Sequence, residues 1–92
     1  KHQKDIKAHK NGHITTLDNK IVSNIARRAG APKDKKAGIY LNKKKGNYVE
    51  KDDTVLTIYA EKKEKLQNAI EVSEKRTPFI IKERNEMLME EM

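Results

Sequence analysis

Apolar positions along the 92-residue chain change their period several times, and each change marks an element. Between Ile6 and Leu17 they alternate with polar residues around Asn11-Gly12, a dipeptide that favours a tight type I′ turn. The spacing predicts a hairpin in which Lys10 faces His13, Ala8 faces Thr15 and Ile6 faces Leu17. In that register Ile6, Ala8 and Leu17 share one side of the ladder, and His9 and Ile14 share the other. Asp18 then stands as an N-cap, and Ile21, Val22, Ile25, Ala26 and Ala29 fall on one helical face over Asn19 to Ala29. Gly30 and Ala31-Pro32 stop that helix, with Arg27 and Arg28 in its last turn beside the exposed carbonyls.

Period two returns at Gly38 to Lys43, where Ile39 and Leu41 alternate with Tyr40 and Asn42. Lys43 to Asn47 forms a charged turn, Tyr48-Val49 a short connection, and Asp52-Asp53 a second turn. Thr54 to Ala60 is the clearest strand, with Leu56, Ile58 and Ala60 facing one way and Val55, Thr57 and Tyr59 the other. A second helix runs from Glu61 to Lys75, turning Leu66, Ala69, Ile70 and Val72 inward and pairing Glu61 with Lys65. Thr77-Pro78 ends it, and Phe79 to Lys82 reads as a last strand. Residues 1–4 are expected to be disordered, 5–83 to form a single domain, and 84–92 to form a charged tail. The tail's Met87, Leu88 and Met89 suit a packing or oligomer contact. Two main helices set against short mixed strands indicate an α+β fold.

Composition narrows the function classes. A chain of this length buries roughly 60 to 65 per cent of its unfolded surface, enough for one aliphatic core. The expected core comprises Ile6, Ile14, Leu17, Ile21, Val22, Ile25, Ile39, Leu41, Val49, Leu56, Ile58, Leu66, Ile70 and Ile80. With no initiator Met, leader or membrane span, the chain reads as a piece of a longer protein. The absence of cysteine excludes disulfide and thiol chemistry and is compatible with a reducing cytoplasm. A net charge of +7 favours anionic partners, although 14 acidic residues interspersed among 21 basic ones also describe an ion-rich solvated surface.

Candidate chemistry is sparse. His9 and His13 have the spacing of a metal pair, but a strand-turn-strand points them to opposite faces, and no metal site is expected. Ser23 and Ser73 lack a histidine nearby, the carboxylates occupy turns and polar helix faces, and the glycines are too dispersed to cradle a phosphate. No catalytic, substrate-binding or metal residue is therefore assigned, and no cofactor. The clusters Lys33-Lys35-Lys36 and Lys43-Lys44-Lys45 leave open a basic nucleic-acid-binding module, which the four aromatics and the lack of a known RNA or DNA motif disfavour. Asp34-Lys35-Lys36-Ala37 also resembles the Asp-Lys-Ala hairpin of lipoyl and biotinyl carriers, but Lys35 follows a helix stop and Pro32 where a carrier lysine needs a tight hairpin.

A denser match begins at IARRAGAPKDKKAGIYL and continues through K-x2-G-x2-V, LTIYAE and a Lys-Leu-x2-Ala-Ile helix. With Gly12-His13-Ile14 and Leu17-Asp18-Asn19, this run from Ile6 to Ile81 resembles the C-terminal domain of the thymidine and pyrimidine nucleoside phosphorylase family, in particular its archaeal AMP phosphorylase branch. Asp52 departs from a usual glycine, Lys62 from a frequent helix-capping serine and Lys36 from a common glycine. The resemblance implies an α/β-hammerhead with a barrel-sandwich hybrid, in a parent pentosyltransferase that cleaves AMP or thymidine with inorganic phosphate. It implies that phosphate and nucleotide bind in other domains, that this domain packs on the catalytic one, and that the parent is a homo-oligomer without a membrane partner.

Overall fold

The computed structural model describes residues 2–84; the Met87, Leu88 and Met89 stripe lies outside them. The fold is α+β, with element order β1 (His2–Lys7), β2 (Gly12–Leu17), α1 (Asn19–Ala29), β3 (Gly38–Leu41), β4 (Tyr48–Val49), β5 (Thr54–Ala60), α2 (Lys63–Lys75) and β6 (Phe79–Lys82). Two antiparallel sheets result, β1-β5-β3 and β4-β2-β6. Both helices pack against the first sheet and against each other.

The expected hairpin does not form: β1 pairs with β5, and β2 pairs with β4 and β6. Asn11 and Gly12 are used differently from a type I′ turn. The Asn11 carboxamide oxygen accepts from the Lys51 amide at 2.6 Å, tying the β1–β2 link to the link before β5. Ala8 donates to the Asp53 carbonyl at 2.8 Å and accepts from the Asp52 amide at 2.9 Å. Gly12 already belongs to β2 at φ 153°, and an added Cβ would lie 2.5 Å from the Lys82 carbonyl oxygen of β6. Close strand approach, rather than a tight turn, requires this glycine. Order also begins earlier than expected, since His2 to Lys4 pair with Ala60 to Ile58, giving the first residues a ladder to sit in.

A bulge at Thr15 corrects the expected facing of β2. Ile14 pairs with Ile81 while Thr16 pairs with Ile80, so one extra residue opposes none. Strict alternation would set Ile14 and Leu17 on opposite faces; the inserted residue turns both towards the core, opposite Ile81 and Phe79.

Helix α1 follows its sequence signals. The Asp18 carboxylate accepts from the amides of Lys20 (2.9 Å) and Ile21 (3.1 Å), satisfying two of the donors that a helix start leaves free. Gly30, at φ 124°, returns its amide to the Ala26 and Arg27 carbonyls. Helix α2 starts two residues later than expected: Lys62 is its N-cap and supplies no side-chain hydrogen bond. Glu61 therefore lies outside the helix and does not pair with Lys65.

One core cluster joins the elements, containing Ile14, Ile25, Val49, Leu56, Ile58 and Leu66 as expected. Full burial of each such aliphatic side chain contributes roughly 1.5–3 kcal/mol. Phe79, Ile81, Val55 and four alanines join them, whereas Leu41 and Ile80 are exposed. In β6 the alternation decides this: Phe79 and Ile81 point inward, which forces Ile80 out.

Candidate functional site

The residues that the sequence offers for chemistry are dispersed over four places. The first is the loop from Gly30 to Ala37, which carries Lys33, Lys35 and Lys36. It is pinned at two points, to the first turn of α2 and to Glu61 just before it. Asp34 receives the Lys65 ammonium at 2.7 Å, and the Glu61 carboxylate accepts the Lys36 amide at 3.0 Å. Lys65's hydrogen bond holds the Asp34 carboxyl below its ordinary value; partial desolvation opposes this, and the charges of Lys65, Lys62 and Lys33 reinforce it. A proton donor working near neutrality needs a shift the other way. Lys35 lies on this helix-to-strand link, away from any tight hairpin, and Lys36 is engaged through its backbone.

The Lys43 to Lys45 run occupies the β3–β4 turn. Its backbone is closed by Asn47, whose side chain accepts from the Lys44 amide at 2.8 Å, and by the Gly46 amide bonded to the Ile14 carbonyl at 2.7 Å. The two lysine clusters flank β3 at opposite ends, which a four-residue strand separates by roughly 13 Å. At about one Debye length apart they act as two small patches rather than one stripe.

On the outer face of the first sheet, away from the helices, Asn42 donates to the Thr57 hydroxyl at 3.1 Å, and that hydroxyl donates to Asp5 at 3.0 Å. Register places Tyr40 beside Thr57 and Tyr59 beside Gly38 on the same face. This closed polar row escapes sequence reading because Asp5 and Thr57 are 52 residues apart; only the β1–β5 pairing joins them.

The fourth place is the outer face of the second sheet. His13 sits between Tyr48 and Lys82 in register, its ring edge-on to Tyr48 at 5.3 Å between centroids. Its Nδ1 and the Thr15 hydroxyl are shut off from water and have no hydrogen-bond partner. His9 lies in the β1–β2 link and is exposed; no cluster of three metal-ligating side chains occurs among the described residues. Ser73 returns its hydroxyl to the Ile70 carbonyl at 2.6 Å within α2, and Ser23 is exposed on α1 beside Arg27. Most of the polar groups with resolved partners thus serve caps, turns or loop anchoring.

A family model described as the pyrimidine nucleoside phosphorylase C-terminal domain matches residues 13–79. The chain is 53% identical over 77 residues, 84% of its own length, to an AMP phosphorylase of Methanococcoides burtonii, of which this covers 15%. It is 51% identical over 70 residues, 76% of its length, to AMP phosphorylase 1 of Archaeoglobus fulgidus, covering 14% of that protein. An AMP phosphorylase of Methanosarcina mazei is 48% identical over 77 residues, again 84% of this chain and 15% of the relative. The chain thus spans about a seventh of the length of the curated relatives it matches.

Proposed function

The chain belongs to the pyrimidine nucleoside phosphorylase C-terminal domain family, and from that premise we propose that it is the C-terminal domain of an AMP phosphorylase. The parent enzyme then transfers the 5-phosphoribosyl group of AMP from adenine to inorganic phosphate, releasing adenine and ribose 1,5-bisphosphate. Thymidine is the competing substrate within the family, and the archaeal AMP phosphorylase relatives favour AMP. Such a transfer passes through an oxocarbenium-like state, so its catalyst must position phosphate and stabilise developing charge.

In this reading the present domain takes no part in the bond exchange. It packs on the catalytic body and supports a cytoplasmic homo-oligomer. What supports the non-catalytic role is that the charged groups of the lysine loop are spent on anchoring it: Asp34 receives the Lys65 ammonium at 2.7 Å and Glu61 accepts the Lys36 amide at 3.0 Å. Among the described residues no helix is long and apolar enough to cross a membrane. The separation of the two lysine clusters gives a nucleic acid no continuous track, which weighs against the binding-module alternative.

The test is adenine release. The isolated chain mixed with AMP and phosphate is expected to release none, and the parent chain is expected to release it. Release by the isolated chain would overturn the non-catalytic role, and a parent active on thymidine but not on AMP would overturn the substrate.

A further inference from the structure

Four surface cavities among the described residues differ in what lines them. One, on α2, is lined by Lys63, Glu64, Lys65, Gln67 and Asn68, and another, on α1, by Asn19, Lys20, Ser23 and Arg27; neither holds an aromatic ring. A third offers Tyr48 and Arg84 but also the carboxylate of Glu83. The fourth lies where the loop from Gly30 to Ala37 enters β3, and its volume of about 290 Å³ is at the small end of ligand pockets. It combines Lys35 and Lys36 with Tyr40 and Tyr59, and no carboxylate lines it.

The shape of this groove follows from the β3–β5 register. Gly38 is opposite Tyr59 and Tyr40 is opposite Thr57, so the two rings are diagonal neighbours on the outer face of the sheet. Diagonal positions are roughly 7–8 Å apart, about twice the ~3.5 Å contact distance between carbon atoms, a gap that one planar ring fills. Gly38 keeps the gap open, because it has no side chain and a Cβ there would meet nothing within 4 Å. Tyr40 and Tyr59 are 62% and 38% exposed, and no ring contact joins them among the described residues. The lysines stand at the rim on a fixed frame. The Lys36 amide is bonded to Glu61 and Asp34 to Lys65, while neither the Lys35 nor the Lys36 ammonium has a carboxylate partner among the described residues.

We infer that this groove binds a nucleoside monophosphate, with its base between Tyr40 and Tyr59 over Gly38 and its phosphate on Lys35 and Lys36. Every base has a face that stacks on an aromatic ring, and lysine ammoniums hold a phosphate as point charges, so the groove recognises this class of ligand rather than one base. The inference stands on the groove's own residues and does not depend on the phosphorylase reading.

Amide NMR spectra of the chain, titrated with adenosine 5′-monophosphate and with uridine 5′-monophosphate, read the site residue by residue. Amides from Lys35 to Tyr40 and at Tyr59 should shift saturably with both, while those from Lys43 to Lys45 and at Tyr48 stay in place. Adenosine and ribose 5-phosphate each carry half of the recognised chemistry and should bind at least about fivefold more weakly, the lower end of what losing one stacked base costs. Tyr59→Ala should weaken nucleotide binding to the same degree, and Tyr59→Phe should retain it. Lys35→Ala/Lys36→Ala should abolish the preference for the nucleotide over adenosine. Both lysines are exposed and Lys36 is anchored through its backbone, so that variant's ligand-free spectrum should keep the dispersion of a folded chain. Ribose 5-phosphate or inorganic phosphate matching the nucleotide would reduce the groove to a charged patch, adenosine matching it would reduce it to an aromatic one, and shifts centred elsewhere would remove the site; each overturns the inference. A single-stranded oligonucleotide bound more tightly per site than the mononucleotide would assign the groove to nucleic acid and overturn it as well.

Discussion

Substituting Gly12 separates the split-sheet architecture from the hairpin that Asn11-Gly12 suggests. In the structure the residue sits at φ 153°, and a Cβ would meet the Lys82 carbonyl oxygen at 2.5 Å and the Ile81 side chain at 2.9 Å. The Lys82 oxygen is backbone and cannot rotate away, so β6 must shift. Occupying a backbone region closed to L-residues costs about 1–3 kcal/mol, and overpacking a tight contact costs a further ~1–3 kcal/mol. Gly12→Ala should therefore destabilise the chain by roughly 2–5 kcal/mol, and at about 4–8 °C per kcal/mol its melting temperature should fall by ten degrees or more. Gly46, at φ 95° with nothing within 4 Å of its Cβ position, is the matched control and should show the backbone cost alone. Gly12→Asn sharpens the contrast, because a type I′ turn accepts asparagine readily and a crowded strand position does not. Thermal and urea unfolding followed by circular dichroism measure all three. A Gly12→Asn melting temperature no lower than that of Gly46→Asn would refute the close-approach account and revive the hairpin.

Three smaller perturbations follow from other contacts. Asp18→Ala removes the acceptor of two amides at the start of α1 and should cost about 1 kcal/mol in urea unfolding. Asp52 adopts φ 75° at a position where the resembling family usually has glycine, so Asp52→Gly should be neutral or stabilising by up to about 1 kcal/mol while Asp52→Val destabilises, read from the shift in melting temperature. Asp34 has a folded pKa below its ordinary 3.8, so the stability it contributes is present above that value and is lost as pH falls through the lower folded one. The stability difference between the wild type and Asp34→Asn should hold near pH 6 and vanish on acidification below pH 4; a difference that grows on acidification would contradict the Lys65 pairing.

Elements whose signals are local were legible from residue order. Asp18, Gly30 and the Ile21, Val22, Ile25, Ala29 spacing delimit α1 at its observed bounds, and the Thr54–Ala60 and Phe79–Lys82 strands also match. The candidate chemistry was read in the same way. Lysines in loops and serines on helices could be placed by element, while the Glu61–Lys65 pair failed because α2 begins after Glu61. Asp34 competes for Lys65 from 31 residues away, a contact that helical spacing cannot contain.

By itself, then, the sequence determined most secondary elements of an α+β domain, the caps of α1 and, through the run from Ile6 to Ile81, the family. These depend on side-chain periodicity and on contacts within a turn or two of chain. Tertiary structure decided which strands pair, that Gly12 serves strand approach, that Thr15 forms a bulge, and that one sheet face keeps polar atoms without partners. Each of those depends on what lies opposite a residue across a ladder, and a strand's own pattern says which way it faces but not which strand it faces.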